Sequence, residues 1–475
     1  MAKEKAVHEM LNVANKDISD KDTLDALDLD NSGKAIKINT IVNAADPTLM
    51  GSDKPNTVDY KIHEAIDNIL KQSDPPTTFN EKICEELAER AGAHTVGKPE
   101  EKKIRCSRGN AVLTKGYGLC TYVIHVVGAI YDGNVFKGKE CSNSRVRMLE
   151  SCYYKIVEVI RSHPDIKNVA IPIISSGNYG FPFEFAARIA VATIGNALLD
   201  WQAEDEESFE SAAIENIVFF TGKPKQDSDS GRDKHEECVR KIIGEYRRVF
   251  EKQHRVVFQK TYQSQMQCIK EVQDYDEVRG YFSIARTFRL WLLRFRVVLG
   301  FLSNFIKDKR GGNDWQERRC VVERTALTKI FLPCILWGAV RYWSGMPEWM
   351  IILCTAALCY STIDTVTYLM ALLFLADIQR TSANVIRSML LLLFNYIEVS
   401  LTMAYLYYLY GNGTVACRIA LEFGIMGNID ADRILTLIEY LFLYGNAALK
   451  FFFLTIVFGY IAGHLRQRAF MTKEQ

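Results

Sequence analysis

The sequence has almost no excess of charge: 58 Lys and Arg against 57 Asp and Glu leave a formal +1 over 475 residues. So balanced a chain lacks the basic footprint of a nucleic-acid binder, and no nucleic-acid partner is expected. Paired cysteines are missing too. The twelve cysteines are scattered without a CxxC or a regular spacing, which argues against a secreted disulfide framework or a zinc ribbon and leaves most of them as reduced thiols. The opening residues MAKEKAVHEM contain no apolar h-region, so no secretory signal is expected and the N-terminal part is expected in the cytosol. No internal repeat, long low-complexity tract, Walker loop, Ser-His-Asp order or metal-ligand cluster stands out, and neither a metal nor a cofactor is expected.

What is present is unevenly distributed. Up to about residue 253 the composition is that of a soluble domain, whereas residues 330–463 are dominated by Leu, Ile, Phe, Tyr and Ala. A purely soluble chain is thereby excluded. At roughly 100–200 residues per domain, the length suggests two to four units. In the first part, β-branched runs at 38–42, 122–127, 169–174 and 217–221 read as buried strands. Helix-period segments at 58–71, 79–91, 145–163 and 183–201 lie between them, with another at 236–252. Strands alternating with helices imply an α/β layered fold, and the polar run 222–234 reads as a surface loop.

Residues 254–325 read as a connector, within which residues 281–307 are basic, aromatic and apolar. At about 100° per residue, Arg286, Arg289, Arg296, Ser303, Asn304 and Lys307 share about a third of the helical circumference. That pattern suits an interfacial helix on an anionic leaflet, or a helix packed on the soluble domain. Four apolar segments follow, at 330–340, 349–376, 389–410 and 434–463. A span needs about 20 residues, so the last three qualify and the first is short. Taken as four spans, they put three basic groups on the cytoplasmic side with the N-terminal domain: Arg318, Arg319, Arg324 and Lys329, then Arg380 and Arg387, then Arg466, Arg468 and Lys473. Polar groups inside such segments are costly and face a bundle interior or a wet cavity. Asp364, Asn395, Glu398 and Lys450 are the candidates. Asn446 is a further interhelical donor, and Glu439 and Lys450 are also placed to snorkel. Helix, re-entrant loop (411–432), helix resembles a divergent two-helix cation-channel pore. No TVGYG-type filter is present; Gly424, Ile425, Met426, Gly427 and Asn428 are the nearest text, so potassium selectivity is not implied.

Three soluble stretches carry the most information: INTIVNAADPTLMGSDKPNTVDYKIHEAI from residue 38, GNAVLTKGYGLCTYVIHVVG from residue 109, and IPIISSGNYGFPFEFAARIA from residue 171. In the third, a strand passes through a small-residue loop into a helix. Ser175, Ser176, Gly177 and Asn178 let backbone N–H groups approach an anion, Gly180 permits a tight bend, and Tyr179 offers an aromatic cover for a ribose. Taken alone, such a loop also reads as an ordinary turn. The three stretches in this order resemble a macrodomain, the ADP-ribose-binding three-layer α/β/α fold with a mixed sheet, over roughly residues 8–252. The resemblance implies a nucleotide of the ADP-ribose type. Asn43, Ala44 and Ala45 would lie by the distal ribose and Val58 and Asp59 beside the diphosphate. The loop Ser175, Ser176, Gly177, Asn178 and Tyr179, closed by Gly180, would clasp it. An adenine-contacting acid after the first strand is also implied, for which Asp17, with its neighbour Ile18, is the candidate. Two departures matter. The family's NAAN reads NAAD, which puts Asp46 either in a surface turn or facing a cationic or donor group on the ligand. SDKPNT (residues 52–57) replaces a glycine run, with Pro55 lacking a donor and Lys54 adding a charge. Together they hint at a modified ligand. His63 and His125 read as structural residues.

The expected order is a macrodomain at 1–252, a connector at 253–325 with a basic amphipathic helix, and an all-α transmembrane domain at 326–475. This architecture resembles the macrodomain-plus-membrane effectors of bacterial anti-phage defence, such as the Thoeris type. The resemblance implies a multi-pass inner- or plasma-membrane protein with its macrodomain in the cytoplasm. Its implied partners are the lipid bilayer, further copies of itself in a homo-oligomer, and a TIR-domain enzyme that makes an ADP-ribose conjugate from NAD. Binding would open a pore or disrupt the membrane with no catalytic residue. Two other readings stand beside it: a membrane-anchored ADP-ribosyl hydrolase with Asn43 and Asp59 as catalytic groups, and a reader that tethers ADP-ribosylated partners at a membrane.

Overall fold

The computed structural model describes residues 6–29, 35–133, 141–222, 232–279, 283–343, 346–375, 385–411, 415–427 and 436–471. Parts of the expected loops (223–231, 412–414 and 428–432), with Arg380, Asn428 and Lys473, lie outside the described residues. The chain divides into two compact units, Met1–Lys260 with Asn313–Gln316, and Thr261–Gly312 with Glu317–Gln475.

Among the described residues the first unit has eight strands: β1 (Leu11–Ala14), β2 (Leu27–Asp28), β3 (Ala35–Ile36), β4 (Thr40–Ala44), β5 (Ala111–Lys115), β6 (Tyr122–Val126), β7 (Asn168–Pro172) and β8 (Asn216–Phe220). Its helices are α1 (Val7–Met10), α2 (Lys21–Asp25), α3 (Val58–Leu70), α4 (Phe79–Ala91), α5 (Ala93–Val96), α6 (Asn143–Ser162), α7 (Phe183–Glu204), α8 (Glu206–Ser211) and α9 (Arg232–Glu251). Six strands form one sheet in the order β1-β8-β7-β4-β6-β5. Every pair is parallel except the antiparallel pair β5 and β6. The sheet is therefore mixed, as the macrodomain resemblance implies.

Alternation along the strands builds the layers, because successive side chains leave opposite faces. Val42, Ile124, Val169, Ile171, Ile217 and Phe219 pack on one face against Leu149, Tyr153, Ile194 and Tyr246 of α6, α7 and α9. Ile41, Val123, Ala170 and Val218 pack on the other against Ile62, Ile66, Phe79 and Ile83 of α3 and α4. Local signals fix where two of these helices start. Thr57 caps α3 by accepting from Tyr60 N, and Thr78 with Glu81 forms a full capping box on α4; each such cap contributes about 1 kcal/mol. Asn313–Gln316 returns to this unit through Val257 N donating to Asn313 O and Trp315 N donating to Arg255 O.

The second unit is helical: α10 (Thr261–Arg279), α11 (Ser283–Leu299), α12 (Phe301–Gly311), α13 (Trp315–Tyr342, whose first two residues belong to the first unit), α14 (Glu348–Phe374), α15 (Val385–Tyr410), α16 (Cys417–Met426) and α17 (Leu437–Met471). Residues 261–312, expected within a connector, pack inside this unit. Among the described residues three helical stretches are long and apolar enough to cross a membrane: Glu348–Ala371, Met389–Tyr410 and Leu437–Thr455. The short segment 330–340 is the end of the mixed helix α13. Between the second and third stretches, α16 packs on α15 where a Cβ at Gly424 would lie 2.4 Å from Ser400 O, the close backbone approach that small residues permit.

The basic face of α11 and α12 turns toward the interior of this unit. Arg289 is only 7% exposed, and Arg296 is nearly buried against Asp364. The aromatic and apolar face is the outer one: Ile284 is 83%, Trp291 61% and Val298 71% exposed. Polar groups inside and apolar groups outside is the sense expected of helices surrounded by lipid. Asp364, Asn395, Glu398 and Asn446 are likewise buried. Glu439 closes a capping box, accepting from Thr436 N and Oγ1 at 3.0 Å, and Asn446 donates to Phe423 O at 2.7 Å. Lys450 Nζ is buried without a hydrogen-bond partner among the described residues.

Candidate functional site

A cleft of about 450 Å³ opens in the first unit at the carboxyl ends of the parallel strands β4, β7 and β8. Ligands of open α/β sheets bind at such strand ends, because the loops there are free to vary. Its lining includes Ala44, Ala45 and Asp46 after β4, Ser52, Lys54, Asn56 and Thr57 before α3, and Val58 and Asp59 in the first turn of α3. Ser175, Ser176, Gly177, Asn178 and Tyr179 follow β7. Ten of the fourteen residues expected from the sequence thus line one cavity. The other four do not: Asn43 lies beneath, Ile18 is in the core, and Asp17 and Gly180 are outside the lining. Phe183, Gly128, Phe220, Thr221 and Gly222 also line it and were not expected. The glycine and aromatic residues closing β6 and β8 were the available signal.

The loop after β7 has the features of an anion cradle. Ser175 adopts φ +67°, uncommon for a residue with a side chain. It is held there by Phe181 N donating to Ser175 O at 3.0 Å and by Gly180 N donating to Gly177 O at 2.9 Å. The backbone N–H groups of Gly177, Asn178 and Tyr179 have no acceptor among the described residues, and neither has the buried hydroxyl of Ser175. Gly128 makes the bend possible, because a Cβ there would lie 2.3 Å from Ser175 Oγ and 2.9 Å from Ile174 Cγ2. Arg108 sits 4.8 Å from the centre of the Tyr179 ring while donating to Gly128 O at 2.9 Å, fixing an aromatic wall. Opposite, the N-terminus of α3 presents the amides of Val58 and Asp59, a second place where negative charge is stabilised.

Beneath the cleft runs a buried polar chain. Asn43 Nδ2 donates to Asp59 Oδ1 at 2.7 Å and lies 3.2 Å from His125 Nδ1, whose Nε2 is 3.0 Å from Thr114 Oγ1. Asp46 N donates to Asp59 Oδ2 at 3.3 Å, and His63 Nε2 is 3.5 Å from Asp59 Oδ1. Burial pushes Asp59 up to about 6 against the Asn43 and Asp46 hydrogen bonds. The same desolvation pushes His63 down to about 4 and His125 down to about 3. Both rings are therefore neutral at physiological pH and packed on Phe79.

Two sequence candidates are already engaged. Asp46 Oδ1 accepts from Thr48 N and Oγ1 at 3.0 and 2.9 Å, a turn-forming role that leaves its other oxygen uncommitted. Asp17 pairs with Lys61 at 2.9 Å and accepts from Ser19. Burial opposes ionisation of Asp17, but these partners hold its carboxyl below the usual range. Among the described residues no group of three His, Cys, Asp or Glu is arranged to hold a metal.

Sheet order and cleft define a three-layer α/β module with an anion-cradling site at its strand ends. Residues 42–190 match the Macro domain family model. The chain is 30% identical over 184 residues to a Macro domain-containing protein of Listeria monocytogenes, covering 38% of this chain and 81% of that protein. It is 31% identical over 186 residues to one from Chlorobaculum tepidum, covering 39% and 81%. It is also similar to the mouse ADP-ribose glycohydrolase MACROD2, at 30% identity over 185 residues, 39% of this chain and 30% of that protein. The chain belongs to the macrodomain family, with a helical region carrying three candidate membrane helices after the macrodomain.

Proposed function

We propose that the protein is a membrane effector whose macrodomain binds an ADP-ribose-derived nucleotide and whose helices respond by opening a pore or disrupting the bilayer. The observation that carries the ligand is the set of unengaged amides and the buried Ser175 hydroxyl facing the cleft. A diphosphate is the group whose oxygens would accept from them and from the start of α3. Lys54 and the free oxygen of Asp46 on the same cleft favour a ligand carrying more than plain ADP-ribose. The membrane half of the reading rests on the three apolar helices with polar groups turned inward. A ligand shifts such a protein only through different affinities for two states. Clustering in a homo-oligomer, a cytoplasmic macrodomain, a TIR-domain source of the nucleotide and a place in anti-phage defence complete the proposal.

The second reading is hydrolysis of ADP-ribosylated substrates. The observation favouring it is Asp59, a cleft carboxylate with a raised pKa held by Asn43, the environment in which a carboxylate exchanges protons near neutrality. One experiment separates the two. The full chain in detergent is titrated calorimetrically with ADP-ribose and its amino-acid conjugates, and the mixtures are then assayed for breakdown. Binding with the ligand intact, together with ligand-dependent leakage of dye from proteoliposomes, is the expected result. Ligand consumption would make the protein an enzyme first, and binding without leakage a tether. Gly128→Val, whose side chain would press on Ser175 Oγ and Ile174 Cγ2, should weaken binding at least tenfold while leaving the fold intact.

A further inference from the structure

The helical unit contains a cavity of about 210 Å³ that the nucleotide cleft does not involve. Arg296, Ser303, Asn304, Lys307, Lys329 and Asp364 line it. Asp364 is already engaged: Arg296 Nη1 donates to Oδ1 at 2.5 Å, Lys329 Nζ to Oδ2 at 3.0 Å, and Ser303 Oγ to Oδ2 at 3.4 Å. The next carboxylate, Glu398, accepts from Ser361 Oγ at 2.5 Å and Thr365 Oγ1 at 2.9 Å. Three cations against two carboxylates leave one positive charge, and Lys307 carries it. Among the described residues Lys307 has neither a hydrogen bond nor an ion pair. The neighbouring carboxylate of Asp308 is taken by Arg318 at 3.3 Å and by Thr261 N and Oγ1. The guanidinium of Arg296 spends only Nη1 on Asp364, so part of its five-donor fork remains unspent.

An unbalanced cation in such a place is costly, since the outer faces of the same helices are apolar, with Trp291, Val298 and Phe301 exposed. The cost registers on Lys307 itself: burial, aided by the nearby Arg318 and Arg296, pushes its ammonium down to about 8, with Asp308 opposing. An incoming anion with several acceptor oxygens would neutralise the excess and satisfy both the Lys307 ammonium and the spare N–H groups of Arg296. The cavity has room for a phosphate with a small group attached, at about 30 Å³ for each water it would displace.

We propose that this cavity binds a phosphate group, with Lys307 as its principal partner and Arg296 and Lys329 as the positive wall. A phospholipid headgroup and free phosphate share that chemistry, and basic pockets between membrane helices are suited to headgroups.

The test uses the purified full chain in a neutral detergent at pH 8. Acetic anhydride labelling of Lys307 is compared with that of exposed Lys309 by peptide mass spectrometry. Dioctanoyl-phosphatidylglycerol, inorganic phosphate and dioctanoylglycerol are the probes. The phosphatidylglycerol is expected to protect Lys307 selectively. Lys307→Met should lower its affinity, measured by retained lipid in native mass spectrometry, about tenfold, while Lys307→Arg keeps most of it. Protection by inorganic phosphate as well would assign the site to the free anion, and protection by the phospholipid alone to a headgroup. Equal protection by dioctanoylglycerol, no protection by either phosphate-bearing probe, or full affinity in Lys307→Met would each overturn the proposal. The outcome is independent of whether the cleft binds nucleotide.

Discussion

Lowering the pH from 6.5 to 4 should remove about 4 kcal/mol of stability from the first unit, with most of the loss complete before ordinary carboxylates titrate. The sign follows from linkage. His63 and His125 are held below their ordinary 6.5, at about 4 and about 3, so the unfolded chain takes up two protons that the folded one refuses. Their stabilisation is fully present above pH 6.5 and is lost as pH falls, at about 1.4 kcal/mol per pH unit for each ring. Asp59 works the other way. Its carboxyl is raised from 3.8 to about 6, so folding is penalised above pH 6 and the penalty is relieved as pH falls toward 3.8. Between pH 6 and 4 one histidine is offset and the net slope is about 1.4 kcal/mol per unit. Against a typical domain stability of about 5–15 kcal/mol, the loss is large.

The measurement is amide hydrogen exchange of the β4 and β6 strands in the full chain across that range. Asp59→Asn should nearly double the slope between pH 6 and 4, because the offsetting carboxylate is gone. A flat profile down to pH 4 would mean the two rings are not the desolvated neutral groups that their packing on Phe79 indicates. Asp17, held low by Lys61, loses its contribution only below pH 4 and so falls outside the window.

Much of the first unit was readable because its signals are local. The strands at β4, β6, β7 and β8 and the helices α3, α4, α6, α7 and α9 each carry their own periodicity, and Thr57 and Thr78 mark helix starts. Two sheet members were not read. Leu11–Ala14 is only four residues long, next to a helical turn, and Ala111–Lys115 gains its identity from antiparallel pairing with β6. Strand order is a long-range property, so a cleft assembled from the ends of β4, β7 and β8 was only partly legible, and Phe183 and Phe220 to Gly222 escaped. Asp17 was named through the resemblance alone, and its pairing with Lys61, 44 residues away in sequence, carries no local signal. On α11 the helical wheel grouped Arg289 and Arg296 correctly but carries no sign. The same stripe points to water on a soluble surface and to the interior where the surroundings are lipid.

The inward stripe leads to the second large effect. Asp364→Ala in the full chain should destabilise the helical unit by about 3–5 kcal/mol, the cost of leaving buried cations unpaired. Arg296 and Lys329 both spend their main contact on Asp364, at 2.5 and 3.0 Å, and its side chain is only 7% exposed. The lost partner matters more than the lost attraction, and that distinction is testable. If stranded charge is the cause, Asp364→Ala combined with Lys329→Met should be more stable than Asp364→Ala alone, because the second change removes a cation that the first one orphaned. If the loss came instead from a cavity beside α14, the two changes would add. Thermal unfolding in one detergent, read through helical circular dichroism for the wild type, both single variants and the double, completes the cycle. Additivity within about 0.5 kcal/mol would remove the ion cluster as the organising contact of α11, α13 and α14, whereas recovery of 1 kcal/mol or more in the double variant fixes Asp364 as the counter-charge that lets Arg296 and Lys329 remain inside an apolar-faced bundle.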